Sequence, residues 1–210
     1  MNTQKKARLY WILKNRFRNF KINFHSKIFD ISFKSFNCQV HPNCEVYGMN
    51  NIQIGKSFKA REGLWLHAIE TYENQIFHPS IKIGDNVAGS KHLHIAAIKS
   101  ISIGNNVLFG SNVLVTDHNH GVYASSVNTI DASCPSTHPS KRLLVGSPVV
   151  IEDNVFIGDG VMILPGSYIE EGAVVGCGSV VNGRVRRGSI AAGTPAKIKS
   201  TYNWESSSWK

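Results

Sequence analysis

The stretch VVIEDNVFIGDGVMILPGSYIEEGAVVGCGSVV, residues 149–181, decides the fold. Ile151, Ile157, Ile163, Ile169, Val175 and Val181 stand six positions apart. Two residues before each member runs a second column in phase with it: Val149, Val155, Val161, Ser167, Ala173, Ser179 and then Val185. A period of six fits neither the 3.6-residue turn of a helix nor the two-residue alternation of a simple strand. It is a solenoid period. Each hexad supplies a short strand and a corner, three hexads close one triangular turn, and successive turns stack one large apolar residue on another. Glycines such as Gly160 and Gly178 fall at the corners, where a tight bend requires positive φ. The spacing predicts a parallel β-helix.

The five hexads IEDNVF, IGDGVM, ILPGSY, IEEGAV and VGCGSV (residues 151–180) resemble the hexapeptide-repeat acyltransferases, whose signature is an aliphatic residue, a Gly or acidic residue, two variable positions and a small residue. The resemblance covers about residues 40–199 and implies an all-β fold, a left-handed parallel β-helix. Handedness comes from the resemblance, since parallel crossovers are otherwise right-handed.

Upstream, Ile95, Ile101, Val107 and Val113 keep the period, and Ile103, Phe109 and Val115 run beside them. Val40 and Val46 mark the start. Between Gly55 and Ile81 the phase is lost around Trp65, His67 and Tyr72, which predicts a bulged coil or short loop. From residue 117 to 146 the repeat stops altogether. An excursion of that length inside a compact fold is usually functional or disordered, and this one begins with Asp117-His118-Asn119-His120-Gly121. Past Val185, the segment ending Gly193-Thr194-Pro195-Ala196 resembles the terminal coil of the acetyltransferases. The expected organisation is a basic amphipathic segment over 1–37, a β-helix domain over 38–199 and a polar tail over 200–210, either a short helix or a loose end.

Acyl transfer from a thioester to a hydroxyl needs a base, because a neutral alcohol is a weak nucleophile. The segment Val115 to Gly121 resembles the point where maltose, galactoside and surface-polysaccharide O-acetyltransferases leave their solenoid, and their catalytic His falls on His118. Asp117 or a backbone carbonyl is expected to fix its tautomer. His120, two residues on, is the rival and a candidate for acceptor binding. The resemblance also implies acetyl-CoA as donor, lying along the C-terminal coils between two subunits of a homotrimer. Its contacts carry over to Asp159, Cys177, Asn182, Gly183, Lys197 and Ser200, with Phe156 where the family usually has Trp near the acetyl group. Asn182-Gly183-Arg184 departs from the family's Thr-Lys-Asp, so Arg184, Arg186 or Arg187 is expected to supply the missing positive charge. The Asn and Asp that galactoside acetyltransferases use for their sugar align with Ala88 and Ala96. Asn86, His92, His94 and Arg142 are the polar candidates for a different sugar or glycan acceptor.

The chain of 210 residues carries +9, and residues 1–34 hold nine Lys or Arg against the single acid Asp30. Residues 4–21 read as a helix with Leu9, Ile12, Leu13, Phe17 and Phe20 along one stripe. It either caps the open end of the solenoid or lies on an anionic membrane surface. No nucleic-acid motif accompanies the charge. A hydrophobic content of 42% with no long apolar run predicts a globular domain in the cytoplasm, peripheral at most to the inner membrane face. The four cysteines show no CxxC spacing and are expected as free thiols, with no metal. Two other functions stay open at this point: a γ-carbonic anhydrase-like metal enzyme using His92, His94, His118 and His120, and a non-catalytic solenoid scaffold.

Overall fold

The computed structural model describes residues 3–123 and 133–210, with side chains from Tyr10 onward. The middle of the expected excursion, 124–132, and the side chain of Leu9 lie outside the described residues. The chain enters through one helix, α1 (Thr3–Phe33), and then winds through three parallel sheets that form the faces of a triangular prism. Face 1 stacks Gln39–Val40, Lys59–Ala60, Ala88–Gly89, Leu108–Phe109, Phe156–Ile157, Val174–Val175 and Ser189–Ala192. Face 2 stacks Cys44–Tyr47, Leu64–Ala68, His94–Ala97, Leu114–Thr116, Met162–Ile163 and Val180–Val181. Face 3 stacks Ile52–Ile54, Ser80–Ile83, Ser100–Ile103, Val149–Ile151, Tyr168–Ile169 and Arg184–Val185.

The inward column is apolar throughout. Leu66, Ile95, Val115, Ile163 and Val181 stack on face 2, all buried. The small residues of the hexads are buried too, because their hydroxyls find partners within the corner: Ser167 Oγ donates to the Leu164 carbonyl at 2.7 Å, and Ser179 Oγ to that of Gly176 at 2.6 Å. A larger polar side chain at those positions would leave a buried group unpaired.

The corner between faces 3 and 1 is held by an amide ladder. Asn86, Asn106 and Asn154 all take left-handed backbone, with φ of 57°, 56° and 60°. Asn86 Nδ2 donates to Asn106 Oδ1 at 3.2 Å, and Asn106 Nδ2 to Asn154 Oδ1 at 3.1 Å. Asn is tolerated in this conformation where most side chains are not.

Three regions differ from the sequence expectation. The helix runs twelve residues beyond Lys21, and the face that packs is not the expected stripe: Phe29 stacks with Phe58 at 6.1 Å, and Ser26 Oγ accepts the Val40 N–H at 2.9 Å. The lost phase near Tyr72 is an antiparallel hairpin, Thr71–Tyr72 with Gln75–Ile76. The tail is neither helix nor loose end. Lys197–Asn203 turns back antiparallel on Ser189–Ala192, and Ser208–Trp209 pairs with it, so the expected boundary at 199 falls inside a strand. All four cysteines are free, and burial pushes the Cys38 thiol up to about 11.

Candidate active site

The site forms where face 2 of the fourth coil fails to turn onto face 3. Leu114–Thr116 ends, Asp117 turns inward, and His118–His120 leaves the prism paired antiparallel with the returning strand Leu144–Gly146. Gly146 makes this exit narrow, since a Cβ there would lie 2.5 Å from the Asp117 carbonyl oxygen and 3.0 Å from Ile98.

Asp117 is fully buried. Its Oδ1 accepts the Ile98 N–H at 2.9 Å and its Oδ2 the Lys99 N–H at 2.7 Å, both from the corner of the preceding coil. Those donors offset the cost of removing a carboxylate from water. Oδ1 also accepts from His118 Nδ1 at 3.0 Å, and Thr116 Oγ1 lies 3.2 Å from the same nitrogen. An acceptor held at Nδ1 places the proton there and leaves the lone pair of the neutral ring on Nε2, which makes no hydrogen bond among the described residues. The side chain of His118 is 9% exposed, so the ring is not sealed in the core.

Face 2 continues from His118 toward the N-terminal coils as a row of rings. Thr116 pairs with Ala96, and Ala96 with His67, while His94 pairs with Trp65. The Trp65 and His94 rings meet edge to face at 3.9 Å between centroids and Trp65 and His67 at 5.1 Å, while His67 and Tyr47 are tilted against each other at 5.1 Å. Burial, then repulsion from His118 and His67, holds His94 below the ordinary imidazole range; burial, then His118, does the same to His67. Trp65, His67 and Tyr47 were not expected site residues. Their signal in the sequence is the inward alternation Leu64, Leu66, Ala68, which turns Trp65 and His67 outward.

The hairpin at Thr71–Ile76 walls the other side. Tyr72 Oη donates to the Ser140 carbonyl at 2.7 Å and lies 3.2 Å from His120 Nδ1, and Gln75 exchanges two hydrogen bonds with the backbone of Leu144. His120 is thus exposed at the rim, 6.4 Å from the His118 ring.

Three expected acceptor residues are not brought to this site as ligand-facing groups. Asn86 sits on the opposite corner as a rung of the amide ladder. Arg142 is committed to the excursion: Nε donates to the Thr137 carbonyl at 3.1 Å, and the two terminal nitrogens to Tyr123 Oη at 2.8 Å and the Pro135 carbonyl at 3.1 Å. His92 also lies elsewhere, at the corner between faces 1 and 2, with its ring where a Cβ on Gly63 would have to be.

The expected donor-binding residues divide into groups. Asn182 and Gly183 share the edge between faces 2 and 3 with His118. Asp159 and Cys177 occupy the edge between faces 1 and 2, Phe156 stands exposed on face 1, and Lys197 and Ser200 lie on the terminal antiparallel strand. Asp159 also has a structural task, as its carboxylate accepts the Ser111 N–H of the preceding coil. Arg184 pairs with Glu170 and crosses the Tyr168 ring at 5.4 Å, while Arg187 pairs with Glu171 at 3.3 Å. The full width of face 2 separates the His118 edge from the Asp159 and Cys177 edge within one chain.

Residues 148–183 match the family described as bacterial transferase hexapeptide (six repeats). The chain is 38% identical over 167 residues to the putative lipopolysaccharide biosynthesis O-acetyl transferase WbbJ of Escherichia coli K12, covering 80% of each. It is 30% identical to the galactoside O-acetyltransferase of Lactococcus lactis over 127 residues, 59% of this chain and 54% of that protein. Among solved structures, AntD, an N-acyltransferase from Bacillus cereus in complex with dTDP and 3-hydroxybutyryl-CoA, matches with a TM-score of 0.63 at 16% identity, over 83% of this chain and 86% of that one. That likeness shows the fold, a left-handed parallel β-helix. With the similarity to WbbJ extending over four fifths of both proteins, the chain belongs to the hexapeptide-repeat acetyltransferases.

Proposed function

We propose that the protein transfers acetyl from acetyl-CoA to a hydroxyl of a sugar in a surface-polysaccharide precursor, with His118 as general base. The observation that carries this reading is the buried Asp117, which fixes the His118 tautomer and leaves Nε2 free. In the reaction, Nε2 takes the proton as the acceptor oxygen bonds to the thioester carbonyl carbon, and Asp117 stabilises the imidazolium that forms. Collapse of the tetrahedral intermediate breaks the C–S bond, and the coenzyme A sulfur leaves with the proton from Nε2.

The acceptor lies on face 2, with its sugar ring over Trp65 and Tyr47 and its polar groups toward His94, His67 and His120. Aromatic faces suit the C–H side of a sugar, and imidazoles suit its hydroxyls. The names of WbbJ and of the galactoside enzyme support this acceptor class.

The donor occupies a groove between copies of a homotrimer, formed by Phe156, Asp159 and Cys177 of one and Asn182, Gly183 and the terminal strand of another. The outward rows support this arrangement. Leu108, Phe156 and Val174 on face 1 and Leu114, Met162 and Val180 on face 2 are apolar, whereas the outward row of face 3 mixes Gln53, Lys82, Ser102 and Arg184 with Val150 and Tyr168. Apolar stretches on two adjoining faces suit the two different patches that each subunit presents in a closed ring of three. The reaction then takes place on the cytoplasmic side of the membrane. Incubating the protein with acetyl-CoA and a panel of nucleotide sugars, lipid-linked oligosaccharides and polymer tests the reading. An acetyl mass gain on one class supports it; saturable acetyl-CoA binding without transfer to any class, or no binding at all, refutes it.

A further inference from the structure

Helix α1 presents a second apolar face that the solenoid does not use. Tyr10, Leu13, Phe17, Phe20, Phe24, Ile28 and Ile31 are each between 48% and 79% exposed. At about 100° per residue they fall within about 80° of arc, one continuous strip. The residues that anchor the helix, Ser26, Phe29 and Phe33, lie on the other side, so the prism holds the strip outward. Among the described residues nothing covers it.

Its flanks are cationic on both sides. Lys14 and Lys21 border one edge, Arg16 and Lys27 the other, and the helix has no acid before Asp30. The Lys14 ammonium lies 4.7 Å from the Trp11 ring centroid and 5.7 Å from that of Tyr10, and Lys21 lies 4.6 Å from that of Phe17. The lysine stems therefore run over the aromatic rings with their charges at the strip's border, as they do where an apolar face enters a headgroup layer.

A second copy of the strip is a poor occupant. Face-to-face pairing of two such helices sets cation against cation along both borders, with no Glu or Asp to alternate. An anionic surface with an apolar interior beneath it matches both features. No helix among the described residues is long and apolar enough to cross a membrane, so the fit is a helix lying in the surface. We propose that α1 docks the protein flat on an anionic lipid bilayer, Phe17, Phe20 and Phe24 entering the acyl boundary and Lys14, Arg16, Lys21 and Lys27 meeting lipid phosphates. This goes beyond acetyl transfer and does not depend on it.

Sedimentation of the full chain with vesicles of phosphatidylglycerol and phosphatidylcholine in equal parts, against phosphatidylcholine alone, tests the proposal without any substrate. The expected result is binding to the mixed vesicles at least about tenfold tighter than to the neutral ones, weakened by added salt. The triple variant Phe17→Gln, Phe20→Gln, Phe24→Gln is expected to lose vesicle binding with the helical circular dichroism and the oligomeric mass unchanged. Lys14→Glu with Lys21→Glu is expected to lose the preference for the anionic lipid. Equal binding to both vesicles, no binding to either, or undiminished binding by the triple variant overturns the proposal. A drop in oligomeric mass in the triple variant also overturns it, since the strip would then be a subunit contact.

Discussion

Replacing Asp117 by Asn separates the two tasks of that side chain. The carboxylate accepts Ile98 N–H on one oxygen and Lys99 N–H on the other, with His118 Nδ1 sharing the first. An amide has one acceptor and one donor end, so in either orientation one backbone N–H must face an NH₂ group. An unsatisfied buried donor costs about 1–3 kcal/mol. In a chain of this length that lowers the melting temperature by about 3–10 °C. The catalytic loss is distinct. A unit charge about 4 Å from the imidazolium is worth about 4 kcal/mol at an effective dielectric constant of 20. A neutral hydrogen bond retains roughly half of a charge-assisted one. The remaining deficit of about 2 kcal/mol slows turnover about 30-fold. The assay is release of the coenzyme A thiol with the acceptor class that the panel identifies, run below the variant's melting temperature. Turnover within about twofold of the wild type, with the melting temperature lowered as expected, would refute the role assigned to Asp117.

Trp65→Ala is expected to raise the acceptor KM about tenfold, the equivalent of a lost ring contact, with the acetyl-CoA KM unchanged in steady-state kinetics. Because burial depresses the folded-state pKa of His94 and His67, the unfolded chain takes up their protons first as pH falls below the ordinary imidazole value of 6.5. Stability is therefore fully present above that pH and declines below it; urea unfolding across pH should show the decline, and His94→Gln should make it shallower. Asn106→Ala should destabilise by about 1–2 kcal/mol through two lost ladder bonds and a left-handed φ, whereas Asn106→Gly, which tolerates that φ, should cost less in the same unfolding experiment.

The prism was legible because its code is local. Ile151 to Val181 repeat every six residues, and each repeat buries the same two positions, so no knowledge of distant contacts is needed. The point where the chain leaves the prism, at His118, was legible through its motif. The buried partners of Asp117 were not, since the N–H groups of Ile98 and Lys99 come from the coil before, about twenty positions away, and nothing in the local pattern points to them. Asn86 and Arg142 were misplaced for different reasons: Asn86 is tied to Asn106 across a coil spacing, and Arg142 to the carbonyls of its own irregular loop, which no repeat describes. The helix was read short because the polar residues Asn23, His25 and Ser26 follow soon after Phe20, the last residue of the stripe that begins at Leu9. The structure uses His25 and Ser26 as the start of the packed face, both lying within hydrogen-bond reach of the Val40 backbone. The hairpin at Thr71–Ile76 is two residues per strand, too short to leave a periodic trace.

The most direct test of the account is acetyl transfer by His118→Ala, measured beside acetyl-CoA binding to the same variant. The account predicts turnover reduced about 100-fold or more, as for loss of a general base, with acetyl-CoA affinity and oligomeric mass retained. Turnover close to that of the wild type would contradict it.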